Sequence, residues 1–157
     1  MPEWIDESRE GRFPFLTRDL YEKTSDETPD YDYNCAAYVV GDFNHWWQPP
    51  DPDGADPKWY WPDGAPETGF VSSYVKAYEL RGFELCGAER EEGFERIALY
   101  ANKDGLFTHV ALQLSDGKWT SKLGNWEDIQ HDNLEVLEGE YPAFGFVIHF
   151  MRKPIKK

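Results

Sequence analysis

The sequence is short of cysteine and of long apolar runs, and each shortage excludes a class of protein. It contains 2 cysteines in 157 residues, too few for a scaffold built on disulfides. No run approaches the roughly 20 apolar residues that cross a bilayer. The acidic start, residues 1–13, lacks the basic and apolar segments of a signal peptide. We therefore expect a cytoplasmic protein, while secretion as an effector by a specialised route is compatible with the same sequence.

Basic side chains are scarce relative to acidic ones. The chain has 16 Lys and Arg against 30 Asp and Glu, for a formal net charge of -14. Such a field repels phosphate backbones and anionic lipid headgroups, so we expect neither a nucleic-acid partner nor a membrane partner. The acidic runs at 89–92 and 127–140 are interpreted as solvated faces, with a basic protein partner as the alternative.

Motifs for metals and cofactors are also absent. The sequence has no CxxC, HExxH, GxGxxG or P-loop pattern, and its Cys and His residues are not spaced like a zinc site. We expect no metal and no cofactor.

The residues that are present predict one domain. Hydrophobic residues make up 40% of the chain and aromatic residues 17%, enough for a packed core in a chain of this length. Residues 1–33 are polar and interrupted by proline, which predicts an N-terminal arm. Residues 34–157 are predicted to form a single α+β domain.

Local patterns place helices before strands. Asn34 is a favourable N-cap for a short helix that begins at Cys35. The proline-rich and tryptophan-rich stretch 44–66 is predicted to be a loop. Spacing of three to four predicts a helix at 71–80, and a period of two predicts later strands. These strands are expected at 95–101, 108–114, 118–124 and 144–151, in an antiparallel sheet.

Cys35 and His109 are the residues best suited to chemistry. A thiol at the start of a helix gains from the partial positive charge there, and a nearby imidazolium lowers its pKa further. His109 lies on a predicted strand of the sheet against which this helix would pack. The pair predicts a thiol nucleophile with a histidine base. The alternative is that Cys35 is a small buried core residue.

The residue that orients His109 depends on the register of the next strand. A two-residue turn at Asp116 and Gly117 would place Lys122 on the same face as His109, whereas a longer turn would place Ser121 there. Ser121 can accept a hydrogen bond from the ring. Other candidates are Asp128, Glu127, Gln113 and His131, although His131 is more simply a surface partner of Asp128.

The tryptophans of the loop have two interpretations. They could form a stacking platform for substrate beside Cys35, or they could anchor a segment without regular structure by burying their rings. The candidate substrate-binding residues are Trp46, Trp47, Trp59 and Trp61.

Several stretches resemble known families. The stretches YNCAAYVVGD, THVALQL, WTSKLG and EDIQH, with the tryptophan-rich loop, are similar to an uncharacterised bacterial family of unknown function. The run GFERIALYANKDGLFTHVALQLSDGKWTSKLG also resembles, more remotely, the strand section of NlpC-type and CHAP-type papain-like hydrolases. That resemblance implies a papain-like α+β fold, in which an N-terminal Cys helix packs on a small antiparallel sheet. It also implies a triad of Cys35, His109 and a third polar residue, with Ser121 and Asp128 as the candidates.

These observations lead to two functional expectations. The first is a cysteine hydrolase or acyltransferase that acts on a peptide, isopeptide or amide bond through Cys35 and His109. The second is a non-catalytic binding or regulatory module that uses an aromatic cleft and the acidic surface. The two differ in whether the Cys35 thiol is needed for function.

Overall fold

The computed structural model describes residues 4–24, 33–42, 44–49, 59–123 and 128–155. Strands are the main regular elements of these residues. The short helices are α1 (Glu7–Glu10), α2 (Cys35–Tyr38) and α3 (Val71–Glu79), with a 3-10 turn at Glu135–Leu137. The strands are β1 (Tyr21–Lys23), β2 (Trp46–Trp47), β3 (Trp59–Tyr60), β4 (Glu84–Cys86), β5 (Phe94–Ala101), β6 (Phe107–Gln113), β7 (Trp119–Lys122), β8 (Asp128–His131) and β9 (Phe146–Pro154).

Seven of these strands form one antiparallel sheet in the order β1-β8-β7-β6-β5-β9-β4. Strands β2 and β3 form a separate parallel pair. The predicted papain-like α+β fold, with an N-terminal Cys helix on a small sheet, is therefore wrong. The described chain is β-rich, and its helices are short additions to a large sheet.

The sheet is larger than expected because segments that carry turn or charge signals also pair. Strand β1 comes from the expected N-terminal arm and pairs with β8, where Tyr21 faces His131 in the register. Strand β8 lies in the acidic segment and alternates half-buried with buried residues. Alternation over four residues is too short to be separated from charge patterning in the sequence. These segments are strands because each one pairs with a neighbouring strand of the sheet.

Two apolar clusters pack on the sheet. The first contains α2 and α3 residues together with Leu99, Val110 and Met151. The second contains Ala98, Tyr100 and Ala111, which alternate with the first set along the same strands. Ile5 and Phe13 from the N-terminal segment are buried in this second cluster.

The Cys helix α2 is a single turn with a side-chain cap. Asn34 Oδ1 accepts hydrogen bonds from the backbone N–H groups of Ala37 and Trp47, each at 3.0 Å. Asn34 Nδ2 donates to the Trp47 carbonyl at 3.0 Å. One side chain therefore starts the helix at Cys35 and ties it to β2. Ala36 and Ala37 have no exposed surface, so the turn lies flat on the first cluster.

Candidate functional site

The turn between β6 and β7 sets which polar residue faces His109. Leu112 pairs with Thr120 and Gln113 with Trp119, and the Leu114 N–H donates to the Lys118 carbonyl at 2.7 Å. Three residues, 115–117, therefore form the turn, with Gly117 at φ 92. This is the longer of the two predicted turns. It directs Ser121 toward His109 and Lys122 to the opposite face of β7.

Three buried side chains form a continuous hydrogen-bonded chain across neighbouring strands. His109 Nε2 lies 2.9 Å from Ser121 Oγ, and Ser121 Oγ lies 2.8 Å from His131 Nε2. His131 Nδ1 lies 2.8 Å from the Asn133 carbonyl oxygen. We call this set the His-Ser-His chain. It links β6, β7 and β8 through side chains, in addition to the backbone pairing of these strands.

The direction of each hydrogen bond follows from its last acceptor. A carbonyl oxygen only accepts, so His131 Nδ1 carries the proton and its neutral ring accepts at Nε2. Ser121 then donates its hydroxyl to His131 and accepts from His109 Nε2–H. The Nδ1 atom of His109 is left with the lone pair. The His-Ser-His chain therefore selects the tautomer in which His109 is basic at Nδ1.

Burial keeps both histidines neutral. His109 is 1% exposed and His131 is fully buried. Burial, together with the charge of His131, holds the pKa of His109 well below its usual range. Burial also lowers the pKa of His131 to about 4, although the Asn133 carbonyl opposes this shift. The His109 ring stacks on Phe144 with centroids 4.3 Å apart, so this side of the site is closed by an aromatic ring.

Cys35 lies beside Val110, the residue that follows His109 on β6. The thiol is half-buried against the first cluster, and burial raises its pKa to about 11. Backbone N–H groups of Val110, Ala36 and Cys35 itself, and the charge of Lys122, oppose that rise. The sulfur therefore faces the Val110 amide, where pairing of β6 with β7 has ended.

The resting structure does not join the two predicted catalytic residues. His109 packs with Tyr100 and Phe144 in the second cluster, whereas Cys35 packs against the first. Among the described residues, the hydrogen-bond partner of the His109 ring is Ser121 rather than the Cys35 sulfur. Both groups are neutral in this state, the thiol protonated and the imidazole not.

The comparisons with known proteins give one match. A family model described as a domain of unknown function matches residues 22–152. The chain belongs to the DUF7689 family. The prediction of an uncharacterised family is thereby confirmed. No curated protein and no solved structure matches the chain, so the comparisons give no support to the papain-like resemblance. The matched range of this DUF7689 domain includes Cys35 and the whole His-Ser-His chain.

Lys122, whose charge acts on the Cys35 thiol, and its partner Asp128 lie on the face of β7 and β8 away from His109. Lys122 is 1% exposed, its Nζ is 3.8 Å from Asp128 Oδ1, and it lies 4.8 Å from the centroid of the Tyr33 ring. The two residues pair in the β7–β8 register. Asp128, a candidate to orient His109, is thus placed against the lysine on the other face.

The tryptophan candidates are placed unequally in the DUF7689 domain. Trp47 has no exposed surface, and its Nε1 donates to Asp42 Oδ2 at 3.0 Å. Trp61 is half-buried and donates from Nε1 to the carbonyls of Ala65 and Pro66, each at 3.1 Å. Trp46 and Trp59 are half-buried neighbours across the β2–β3 pair. Trp47 and Trp61 thus anchor the loop, and residues 50–58 between the two strands lie outside the described part.

His131 is the member of the site that the sequence reading assigned to the surface. The signal for it is the parity of β8, because His131 shares a face with the buried Ile129. Charge at Asp128 and Asp132 hid this alternation.

In the described parts of the chain, no three His, Cys, Asp or Glu side chains are grouped to hold a metal ion, and no helix is long and apolar enough to span a bilayer.

Proposed function

We propose that this DUF7689 domain is a thiol enzyme that transfers or hydrolyses an acyl group, with Cys35 as nucleophile and His109 as base. The observation that carries the proposal is the His-Ser-His chain. It holds His109 in one tautomer by three hydrogen bonds of 2.8–2.9 Å. A base held by an orienting partner is the arrangement that activates nucleophiles in general. Substrates are peptide, isopeptide or amide carbonyls.

The protonation states support a general-base mechanism rather than a preformed ion pair. A neutral thiol and a neutral imidazole meet, and the S–H proton passes to His109 Nδ1 as the sulfur attacks the carbonyl carbon. The imidazolium keeps its Nε2–H bond to Ser121. It then returns the proton to the leaving amine, so that a thioester forms on Cys35. Water or another amine cleaves the thioester and regenerates the thiol.

The surroundings of the sulfur support stabilisation of developing negative charge. The Val110, Ala36 and Cys35 amides and the Lys122 ammonium all favour a charged sulfur. Donors fixed in a low-dielectric site are the usual source of such stabilisation. Cys35 packs in the first cluster and His109 packs against Phe144 of the second, on opposite faces of the sheet. The mechanism therefore requires a rearrangement of β6 that brings the sulfur and Nδ1 to the same face when substrate binds.

The experiment is acylation of the intact protein by p-nitrophenyl acetate, with the modified cysteine located by peptide mass spectrometry. We expect acetyl transfer to Cys35 with turnover, abolished in Cys35→Ala and lowered at least tenfold in His109→Ala. Cys86→Ala is the matched control, because Cys86 is equally half-buried but lies on the edge strand β4. Equal acylation of Cys35 in the wild type and in His109→Ala would contradict the proposal.

Ser121→Ala separates orientation from the base itself. Loss of the hydroxyl removes both hydrogen bonds that fix the His109 tautomer, so acylation should fall while the pH profile shifts. Ser72→Ala, an exposed site on α3, should leave both unchanged.

A second function is favoured by one surface feature. A cavity of about 480 Å³ is lined by Tyr141 and Phe146, which are 91% and 52% exposed. Large exposed aromatic residues beside a cavity are typical of binding sites. This second function is a binding module. It predicts that Cys35→Ala keeps full biological activity and that Tyr141→Ala loses it. The opposite result favours the enzyme.

A further inference from the structure

A second cavity, of about 320 Å³, brings two cations to one apolar surface. It lies at the end of α2, away from the His-Ser-His chain. Its walls include Val39, Phe83 and Leu112, and the charged side chains that line it are Arg81, Lys153 and Glu95. A volume near 300 Å³ is at the lower limit of pockets that hold small organic ligands.

Among the residues that the structure describes, no carboxylate lies within ion-pair distance of Arg81 or Lys153. Across the described residues, ion pairs within 4.0 Å form at other sites, and neither Arg81 nor Lys153 takes part in one. Glu95 faces Lys153 in the β5–β9 register without reaching it at that distance. In a chain with 30 acidic and 16 basic residues, two unmatched cations beside one cavity are a local reversal of the overall charge.

Both cations are held in position by aromatic rings. The Arg81 guanidinium lies 4.9 Å from the centroid of the Trp47 ring, and Lys153 Nζ lies 5.7 Å from the centroid of Phe83. The aliphatic part of Lys153 also packs over Gly82, where a Cβ would be 3.4 Å from Lys153 Cε. Such contacts leave the hydrogen-bond donors of both side chains available to a ligand.

We propose that this cavity binds a small organic anion, with a carboxylate at Arg81 and Lys153 and an apolar body against Phe83 and Leu112. Arg81 and Lys153 outnumber Glu95 in the lining of the cavity, so the site carries a net positive charge. Arg81 can hold a carboxylate through two parallel hydrogen bonds, and the apolar walls favour a hydrocarbon body over an inorganic ion. The proposal does not depend on chemistry at Cys35.

The test is titration of the ¹⁵N-labelled protein with 3-phenylpropionate and, separately, with 3-phenylpropionamide. We expect amide shifts confined to Tyr38–Gly41 and their neighbours, with a dissociation constant on the order of 1 mM for the carboxylate. The amide should bind at least fivefold more weakly because it lacks the charge. Equal binding of the two probes, or no shifts at these residues, would overturn the proposal.

Charge variants decide whether the cavity or the overall field is responsible. Arg81→Gln and Lys153→Gln should each weaken carboxylate binding at least threefold, and Glu95→Gln should strengthen it. Arg90→Gln is the matched control, since Arg90 lines a different cavity and its removal changes the net charge equally. If Arg90→Gln weakens binding as much as Arg81→Gln, the site is not the one proposed.

Discussion

Individual buried polar residues give this protein its most specific features. Ser121, His109 and His131 satisfy one another by hydrogen bonds, and Lys122 is matched by Asp128 and the Tyr33 ring. Arg96, 1% exposed, donates to Gln113 Oε1 at 2.9 Å and to the Gly87 carbonyl at 2.6 Å. A buried polar group left without a partner costs about 1–3 kcal/mol, so these residues restrict which arrangement of strands is stable.

Stability should fall as the pH is lowered through the range in which the unfolded histidines gain protons. The pKa values of His109 and His131 are lowered in the folded protein, so the unfolded chain binds more protons below its own pKa near 6.5. The contribution of the two neutral histidines to stability is fully present above the unfolded pKa. It is lost as the pH falls from that value toward the folded pKa of about 4 for His131. Between about pH 7 and about pH 5 the free energy of unfolding should fall by roughly 2 kcal/mol for each histidine.

Urea unfolding at the two pH values measures this loss. His131→Gln should reduce it by about half, because one of the two buried titrating groups is removed. His45→Gln, in a half-buried loop position beside Asp42, should keep the full loss. A pH-independent free energy of unfolding in the wild type would show that neither ring is buried and neutral.

At the scale of elements, strand register follows from turns that the sequence marks clearly. The Ser115 to Gly117 turn indicated a hairpin, and its three-residue form decided that Ser121 faces His109. Strand β9 was predicted at 144–151 and is observed at Phe146–Pro154. Its start is set by the 139–145 loop, in which Gly139 and Gly145 exchange backbone hydrogen bonds of 2.8 and 2.9 Å. No local sequence pattern predicts a backbone hydrogen-bonded pair that forms across a loop.

Gly145→Ala should disturb the start of β9. Gly145 has φ 77, and a Cβ there would lie 2.1 Å from the Ala101 carbonyl oxygen on β5. We expect a loss of at least about 2–3 kcal/mol in the free energy of unfolding, from overpacking added to backbone strain. Gly93→Ala is the control, since Gly93 has φ 83 with nothing within 4 Å, and should cost only about 1 kcal/mol. Similar losses for the two variants would contradict the close approach of β9 to β5.

At the scale of the whole molecule, apolar clusters on the sheet oppose a large excess of negative charge. A net charge of -14 destabilises a compact state through self-repulsion. The exposed ion pairs, such as Arg18 with Glu10 and Arg152 with Glu84, are of the kind that contributes little to stability. Repulsion should therefore be the larger electrostatic effect.

Added salt should raise the melting temperature. About 0.5 M NaCl shortens the screening length to a few ångströms and should stabilise the fold by roughly 1 kcal/mol, about 2–4 °C in Tm for a chain of this size. Thermal unfolding with and without salt measures the effect. The double variant Glu89→Gln and Glu92→Gln, in an exposed acidic turn, should show a smaller gain. A Tm that falls with salt would mean that ion pairs outweigh repulsion.

The sequence by itself determined the parts of this protein that depend on neighbours along the chain. Helix α3 was predicted at 71–80 and is Val71–Glu79, and α2 begins at Cys35 after the Asn34 cap. Strands β5 and β6 lie within one residue of their predicted ends, because alternation and turn residues act locally.

Only the tertiary structure decided the size of the sheet and the composition of the site. Pairing of β1 with β8 and of β4 with β9 joins residues far apart in sequence, and it turned the expected papain-like layout into a seven-stranded sheet. Pairing of β8 with β7 placed His131 near Ser121 and Asp128 opposite Lys122, away from His109, and pairing of β8 with β1 covered His131. Such contacts depend on burial and hydrogen-bond satisfaction across strands, which no local period in the sequence encodes.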